Sequence, residues 1–177
     1  SVVTRDNELV VFDAGREVWR RRLPARVLTA PLVAGERVFV LRVDRVVMAF
    51  DVLDGRPLWI HERPGEPLTL AQAGLVAPFG DTLLVGQGPR LVGLDPLRGT
   101  LRWEVAVATP RGTNEVERLA DLVGPATRIG GVVCARSFQN GVGCVDAARG
   151  ALLWSRPASG AQALGGDAEL LVGADAN

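Results

Sequence analysis

The sequence has no lysine and no tyrosine, and isoleucine occurs only twice. Its one histidine, His61, excludes any metal centre or proton relay that needs two imidazoles. Two cysteines are too few for a disulfide-dense scaffold. Neither sign of charge is in excess: 20 basic residues, all arginine, balance 20 acidic ones. That balance removes the electrostatic case for nucleic acid or an anionic membrane surface. No apolar run approaches the ~20 residues of a membrane helix. Residues 67–80 lack charge but are broken by Pro67, Gly74, Pro78 and Gly80. No signal peptide is visible. The opening Ser1-Val2-Val3-Thr4 already reads as a strand, and the expectation is a sequence cut from a longer protein. What remains is an ordinary globular balance, 47% apolar and 23% charged over 177 residues, enough for one domain with a real core.

A repeat organises the chain. The four tryptophans are Trp19, Trp59, Trp103 and Trp154, and each has a glycine four residues before it: Gly15, Gly55, Gly99 and Gly150. An aspartate precedes each glycine: Asp13, Asp51, Asp95 and Asp146. In the last three units Asp lies eight residues before Trp; in the first it lies six before, so two residues are missing there. Two positions before each Asp stand Val11, Ala49, Gly93 and Cys144. The segments between are rich in Val and Leu and bounded by turn residues, which predicts short strands. Glycine in Asp54-Gly55, Arg98-Gly99 and Arg149-Gly150 suits a positive φ. One unit maps as strands 29–33, 37–42, 46–51 and 57–62. Four short antiparallel strands per ~45 residues describe a propeller blade. The fold class expected is therefore all-β, an arc of about four blades, with units near 1–22, 23–63, 64–106, 107–156 and a partial 157–177. Ser1–Thr4 and Glu169–Ala174 both read as the second strand of a blade and would compete for one slot in a closed four-bladed ring, so an arc of a larger ring is favoured. Asp-to-Trp is constant in the three later units, so the growth in repeat length lies between one Trp and the next Asp, and the variable connections share one face, where repeat proteins often bind.

The frame A-x-D-x-x-x-G-x-x-x-W, complete at Ala49, Asp51, Gly55 and Trp59, resembles the tryptophan-docking repeat of quinoprotein-type (PQQ-like) propellers. Units two positions before Asp95 and Asp146 depart only in having Gly93 and Cys144. Gly112-Thr113-Asn114-Glu115-Val116-Glu117-Arg118-Leu119-Ala120-Asp121 resembles a stretch of the BamB family, lipoprotein subunits of the outer-membrane β-barrel assembly machinery. Pro67-Leu68-Thr69-Leu70 resembles a loop of the same family. The resemblance implies an eight-bladed, non-enzymatic scaffold without cofactor. It would sit on the periplasmic side of the outer membrane, touching the membrane only through a lipid anchor absent here. Its implied partners are the POTRA domains of BamA and other assembly subunits, which it would help to fold and insert β-barrel proteins. The implied partner-binding residues are Leu68, Thr69, Leu70 and Asp121. Two positions depart: Ala71 stands where Arg is usual and Val123 where a second Asp is usual, which would remove charge-assisted contacts.

Read from the residues alone, Leu68 and Leu70 point one way if extended and suit an apolar anchor, or else they cover a blade edge. Asn114 and Glu117 fit a capping box, with Val116, Leu119 and Ala120 on one face of a short helical turn. The alternative there is a solvated charged loop in which Arg118 and Asp121 pair at i,i+3. Arg20, Arg21 and Arg22 lack the interleaved aromatics of a nucleic-acid surface and read as solvated strand. His61 reads as polar surface. With Asn140-Gly141 as the hairpin turn, Cys134 and Cys144 are offset beyond disulfide reach and are expected as two buried free thiols. Gly86-Gln87-Gly88 is no dinucleotide fingerprint and no P-loop occurs. The rival reading is a quinoprotein dehydrogenase binding PQQ and Ca²⁺, or a PQQ-like sensor with a small ligand in the channel; it needs an acidic cluster that is not visible.

Overall fold

The computed structural model describes residues 1–63, 68–110, 113, 119–160, 164–167 and 169–173. Among them every regular element is a strand. The first sheet comprises β1 (Val2–Val3), β2 (Glu8–Asp13) and β3 (Arg16–Arg22), in the order β1-β2-β3. Three four-stranded antiparallel sheets follow, each built from consecutive strands. They are β4 (Leu32–Ala34), β5 (Arg37–Leu41), β6 (Val47–Asp51) and β7 (Pro57–His61); β8 (Val76–Phe79), β9 (Thr82–Gln87), β10 (Arg90–Leu94) and β11 (Leu101–Ala106); and β12 (Leu122–Ile129), β13 (Val132–Ser137), β14 (Gly141–Asp146) and β15 (Ala151–Pro157). A two-stranded sheet of β16 (Leu164–Gly166) and β17 (Leu171–Gly173) comes last. The fold is an arc of a β-propeller, as the repeat predicts. The strand mapped at 29–33 begins later, at Leu32, because Pro31 lacks the N–H a ladder position needs. Pro78 lies within β8, an edge strand, where its missing N–H is tolerated.

The core lies between sheets. In β5, Val38 and Val40 pack against Leu9 and Val11 of the first sheet, while Phe39 and Leu41 pack against Leu83 and Val85 of the third. A strand with a neighbour on each face needs apolar side chains at successive positions, hence the continuous runs of β5 and β9. Leu75, Leu84 and Leu91 meet Leu122, Val133 and Val145 in the next interface. Cys134, Cys144 and Val142 meet Leu164 in the last. Outer strands face water: all seven residues of β15 are exposed.

The repeated frame fixes these interfaces. Each Trp stands opposite its small or modest partner, Val11↔Trp19, Ala49↔Trp59, Gly93↔Trp103 and Cys144↔Trp154, and a bulge follows at the same point in each of these four sheets. The bulge leaves the residue before each Trp unpaired and twists the outer strand, aiming the ring at the next sheet. There it lands on glycine. A Cβ at Gly55 would lie 2.6 Å from the Trp19 ring, at Gly99 2.5 Å from Trp59, and at Gly150 2.4 Å from Trp103. Trp19 Nε1 donates to the Val52 carbonyl (2.8 Å) and Trp59 Nε1 to that of Pro96 (3.0 Å). His61, expected as plain surface, is half-buried and its Nδ1 hydrogen-bonds the Gly99 carbonyl at 2.9 Å, reinforcing the same dock.

The aspartates shape the turns that present those glycines. Asp51 Oδ1 accepts the Leu53 amide, Asp95 Oδ1 those of Leu97 and Arg98, and Asp146 Oδ1 those of Ala148 and Arg149. The Leu97 amide, chiefly, and the Arg102 guanidinium hold the Asp95 carboxyl below the ordinary carboxylate range. The first unit, two residues shorter, turns instead through Ala14 (φ 46°) and Gly15 (φ 80°), the pair of positive φ values of a tight two-residue hairpin.

The cysteine expectation is corrected. Cys134 and Cys144 form a disulfide, with Cα atoms 4.0 Å apart, and stand directly opposite in the β13–β14 ladder. The hairpin turns through Phe138-Gln139-Asn140, with Gln139 at φ 48°, rather than at Asn140-Gly141. Gly141 belongs to β14, where a Cβ would lie 2.7 Å from the Arg156 carbonyl oxygen. Its glycine answers close strand approach, not turn geometry. Arg20, as expected, is solvated, and it pairs with Glu17 and Glu8.

Candidate functional site

Chain segments leaving the outer strands β3, β11 and β15 bond to the turn between β1 and β2 of the first sheet or between the second and third strands of the four-stranded sheets. Asn7 Nδ2 donates to the Leu23 and Ala25 carbonyls, the Val43 amide to Arg26, the Val107 amide to Pro89 and the Gln139 amide to Gly160. The variable connections therefore lie with these turns on one face. The corresponding turn carries a positive φ in each of the first four sheets: Asn7 between β1 and β2 (60°), Arg45 (66°), Gly88 (61°) and Gln139 (48°). Glycine and asparagine accept it readily; for arginine it costs about 1–2 kcal/mol.

The structure brings together the two loops that carry the expected site residues. Arg45 Nε donates to Asp121 Oδ1 at 2.8 Å, and its Nη2 lies 2.7 Å from the same oxygen. Arg45 Nη2 also donates to the Leu68 carbonyl (3.2 Å), and the Leu70 amide donates to Asp121 Oδ2 (2.9 Å). The Asp121 carbonyl accepts the Phe138 amide at 2.9 Å. One aspartate thus joins the turn of the second sheet, the connection into the third and the turn of the fourth. Both ion-pair side chains are mostly buried, 17% and 14% exposed. Charge-assisted bonds of this kind contribute about 1.5–3 kcal/mol each.

Leu68 is 39% exposed, while Leu70 is half-buried and lines a small pocket of about 30 Å³ with Thr29, Leu41 and Gln72. The two leucines therefore differ in exposure, and Thr69 between them is half-buried. Ala71 is exposed. Val123 is 3% exposed and bridges to Gly74, where the backbones approach so closely that a Cβ on Gly124 would lie 2.4 Å from the Gly74 oxygen. A carboxylate in place of Val123 would be buried. The capping box at Asn114 and Glu117, with Val116 and Arg118, falls outside the described residues; Asp121 has Arg45 as its ion-pair partner. Sequence reasoning missed Arg45. Its turn, Arg42-Val43-Asp44-Arg45, has no glycine or asparagine to announce a positive φ, and its partner is 76 residues away. Among the described residues no group of three or more His, Cys, Asp and Glu side chains is placed to hold a metal ion.

These features define a tryptophan-docked β-propeller whose irregular connections are braced on one face. Its particular kind follows from comparison with known proteins. The family model described as outer membrane protein assembly factor BamB matches residues 1–177, and the chain belongs to that family. The assembly factor BamB of Burkholderia pseudomallei is 33% identical over 163 residues, 91% of this chain and 43% of that protein. The chain thus spans about two fifths of the length of the curated relatives it matches. The crystal structure of BamB from Moraxella catarrhalis superposes with a TM-score of 0.87 at 23% identity, covering 97% of this chain and 53% of that one. The quinohemoprotein alcohol dehydrogenase of Comamonas testosteroni shares the fold less closely, with a TM-score of 0.57 at 20% identity over 75% of this chain and 21% of that one.

Proposed function

We propose that this chain acts without chemistry of its own, as a scaffold in outer-membrane protein assembly on the periplasmic face of that membrane. In this reading it presents residues 68–70, held by Asp121, to the POTRA domains of BamA. The observation that carries the reading is the Arg45–Asp121–Leu70 connection, which ties the two loops into one surface. The relatives named as outer membrane assembly factors support the process. An oxidised Cys134–Cys144 pair fits a compartment outside the cytosol. Of the four residues, Leu68 is the exposed anchor, Leu70 supports it from the pocket wall, and Asp121 holds the backbone between them.

The test is calorimetric titration with the POTRA segment of the cognate BamA. Leu68→Glu, on an exposed side chain, should leave the circular dichroism spectrum unchanged and weaken binding by about 2 kcal/mol or more, the loss of a central apolar anchor. Unchanged affinity in the folded variant would remove the surface from the interface. Saturable binding of PQQ with Ca²⁺ would favour the quinoprotein reading instead.

A further inference from the structure

Three charged side chains line the pocket beneath residues 68–73: Arg42, Arg45 and Asp121. Arg42 pairs with Asp44, and Arg45 pairs with Asp121. The charges are thus spent locally, while Leu68, Ala71, Gln72 and Ala73, none of them charged, are exposed. We propose that Arg45 is the positioning residue of a docking surface that is apolar and electrically neutral, and that its partner offers an apolar side-chain cluster rather than a charged one. The proposal rests on the reading that residues 68–70 meet a partner.

Arg45 and Gln139 both hold a positive φ at this turn, and Arg45 is singled out by combining it with a side chain that bonds two other loops. It holds φ 66° where the equivalent turn of the third sheet has Gly88 and that of the first has Asn7. A strained backbone at a residue whose side chain reaches two other loops marks a selected geometry. The strain is held in place by Gln87 Nε2, which donates to the Arg45 carbonyl at 2.8 Å. The guanidinium then closes a ring of bonds: Arg45 to the Leu68 carbonyl, Arg45 to the Asp121 carboxylate, and that carboxylate to the Leu70 amide. The planar fork holds the Leu68 carbonyl directly and the Leu70 amide through the Asp121 carboxylate, a two-armed arrangement that a lysine's point charge does not reproduce. Such fixing lowers the ordering entropy that a loop would otherwise lose on binding.

Arg45→Gly separates the backbone from the side chain, because glycine accepts φ 66° freely while losing the fork. The variant should fold with no loss of cooperativity. Exchange of the Leu70 amide with solvent deuterium should rise at least ~10-fold, the loss of one charge-assisted bond. Affinity for the POTRA segment should fall by a similar factor, and Arg45→Lys should recover only part of both. Wild-type affinity should change less than about threefold between about 0.1 M and about 1 M salt, since no net charge is screened. Unaltered Leu70 exchange in Arg45→Gly overturns the positioning role, whether or not a partner binds. A steep fall of wild-type affinity with salt overturns the neutral surface. If folded wild type binds nothing, the docking role fails with the function proposed above, while the Leu70 exchange still decides what Arg45 does.

Discussion

Gly99→Ala places a methyl group against the Trp59 ring. Two costs combine. Gly99 has φ 70°, a backbone conformation that costs an L-residue about 1–2 kcal/mol. Its Cβ would also lie 2.5 Å from Trp59 Cε3, so the ring or the turn must shift, and overpacking of this kind costs about 1–3 kcal/mol. The sum is about 2–5 kcal/mol, a large part of a domain's net stability. Gly80→Ala supplies the control: φ is 55°, yet nothing lies within 4 Å of the new methyl, so only the first cost applies. Gly15→Ala is a sharper control. It sits in the same Asp…Gly…Trp frame, at φ 80°, but no ring rests on it. Gly55→Ala and Gly150→Ala should follow Gly99→Ala, and Gly15→Ala should follow Gly80→Ala. Equilibrium urea unfolding monitored by far-ultraviolet circular dichroism measures this without using the perturbed tryptophans as reporters. If Gly99→Ala costs no more than Gly80→Ala, the docked rings do not lock the sheets, and the repeat needs another explanation.

Two further outcomes are expected of the folded chain. Cys134→Ala combined with Cys144→Ala opens a bridge of sequence separation 10 and should lower stability by about 2–3 kcal/mol, read as a lower urea midpoint; an unchanged midpoint would show that the bridge contributes nothing. Asp51 and Asp95 have carboxyls held low in the folded state, first by turn amides and then by Arg56 and Arg102. Folded values below the unfolded one mean stability that is present above about pH 4 and lost as pH falls through the lowered folded values. Asp95→Asn should therefore flatten the acid limb of the stability profile, and an identical limb would assign the acid sensitivity elsewhere.

The sheets were legible because their determinants are local and recur. A Trp that must reach the next sheet needs a bulge before it, a small residue opposite it and a glycine to land on, so each unit repeats the same frame. The strand edges and the β13–β14 turn were less legible, because one glycine has two physical uses. Gly141 looked like a turn residue beside Asn140, yet it is there because β15 comes too close for a side chain. That three-residue error in ladder register separated two cysteines that face each other. His61 likewise looked like surface, since its acceptor, the Gly99 carbonyl, lies 38 residues on.

The candidate site was legible as a set of loops but not as a mechanism of support. Leu68, Leu70 and Asp121 stand in the connections whose lengths vary, and variable length already pointed there. What holds them is Arg45, on a turn within the regular part of the repeat, and nothing local distinguishes it from a solvated surface arginine. The fold supplies the missing information. Docked tryptophans set the sheets in fixed sequence, which brings the turn of one sheet beside connections far along the chain. Arg45 then reaches Leu68, 23 residues away, and Asp121, 76 residues away. Strain at Arg45 and rigidity at the docks are therefore linked. If the docks loosen, the fork loses its targets, and Gly99→Ala should raise exchange at the Leu70 amide even though the two positions share no contact. A Leu70 amide equally protected in that variant would mean that the loops are held by their own bonds and not by the arc that carries them.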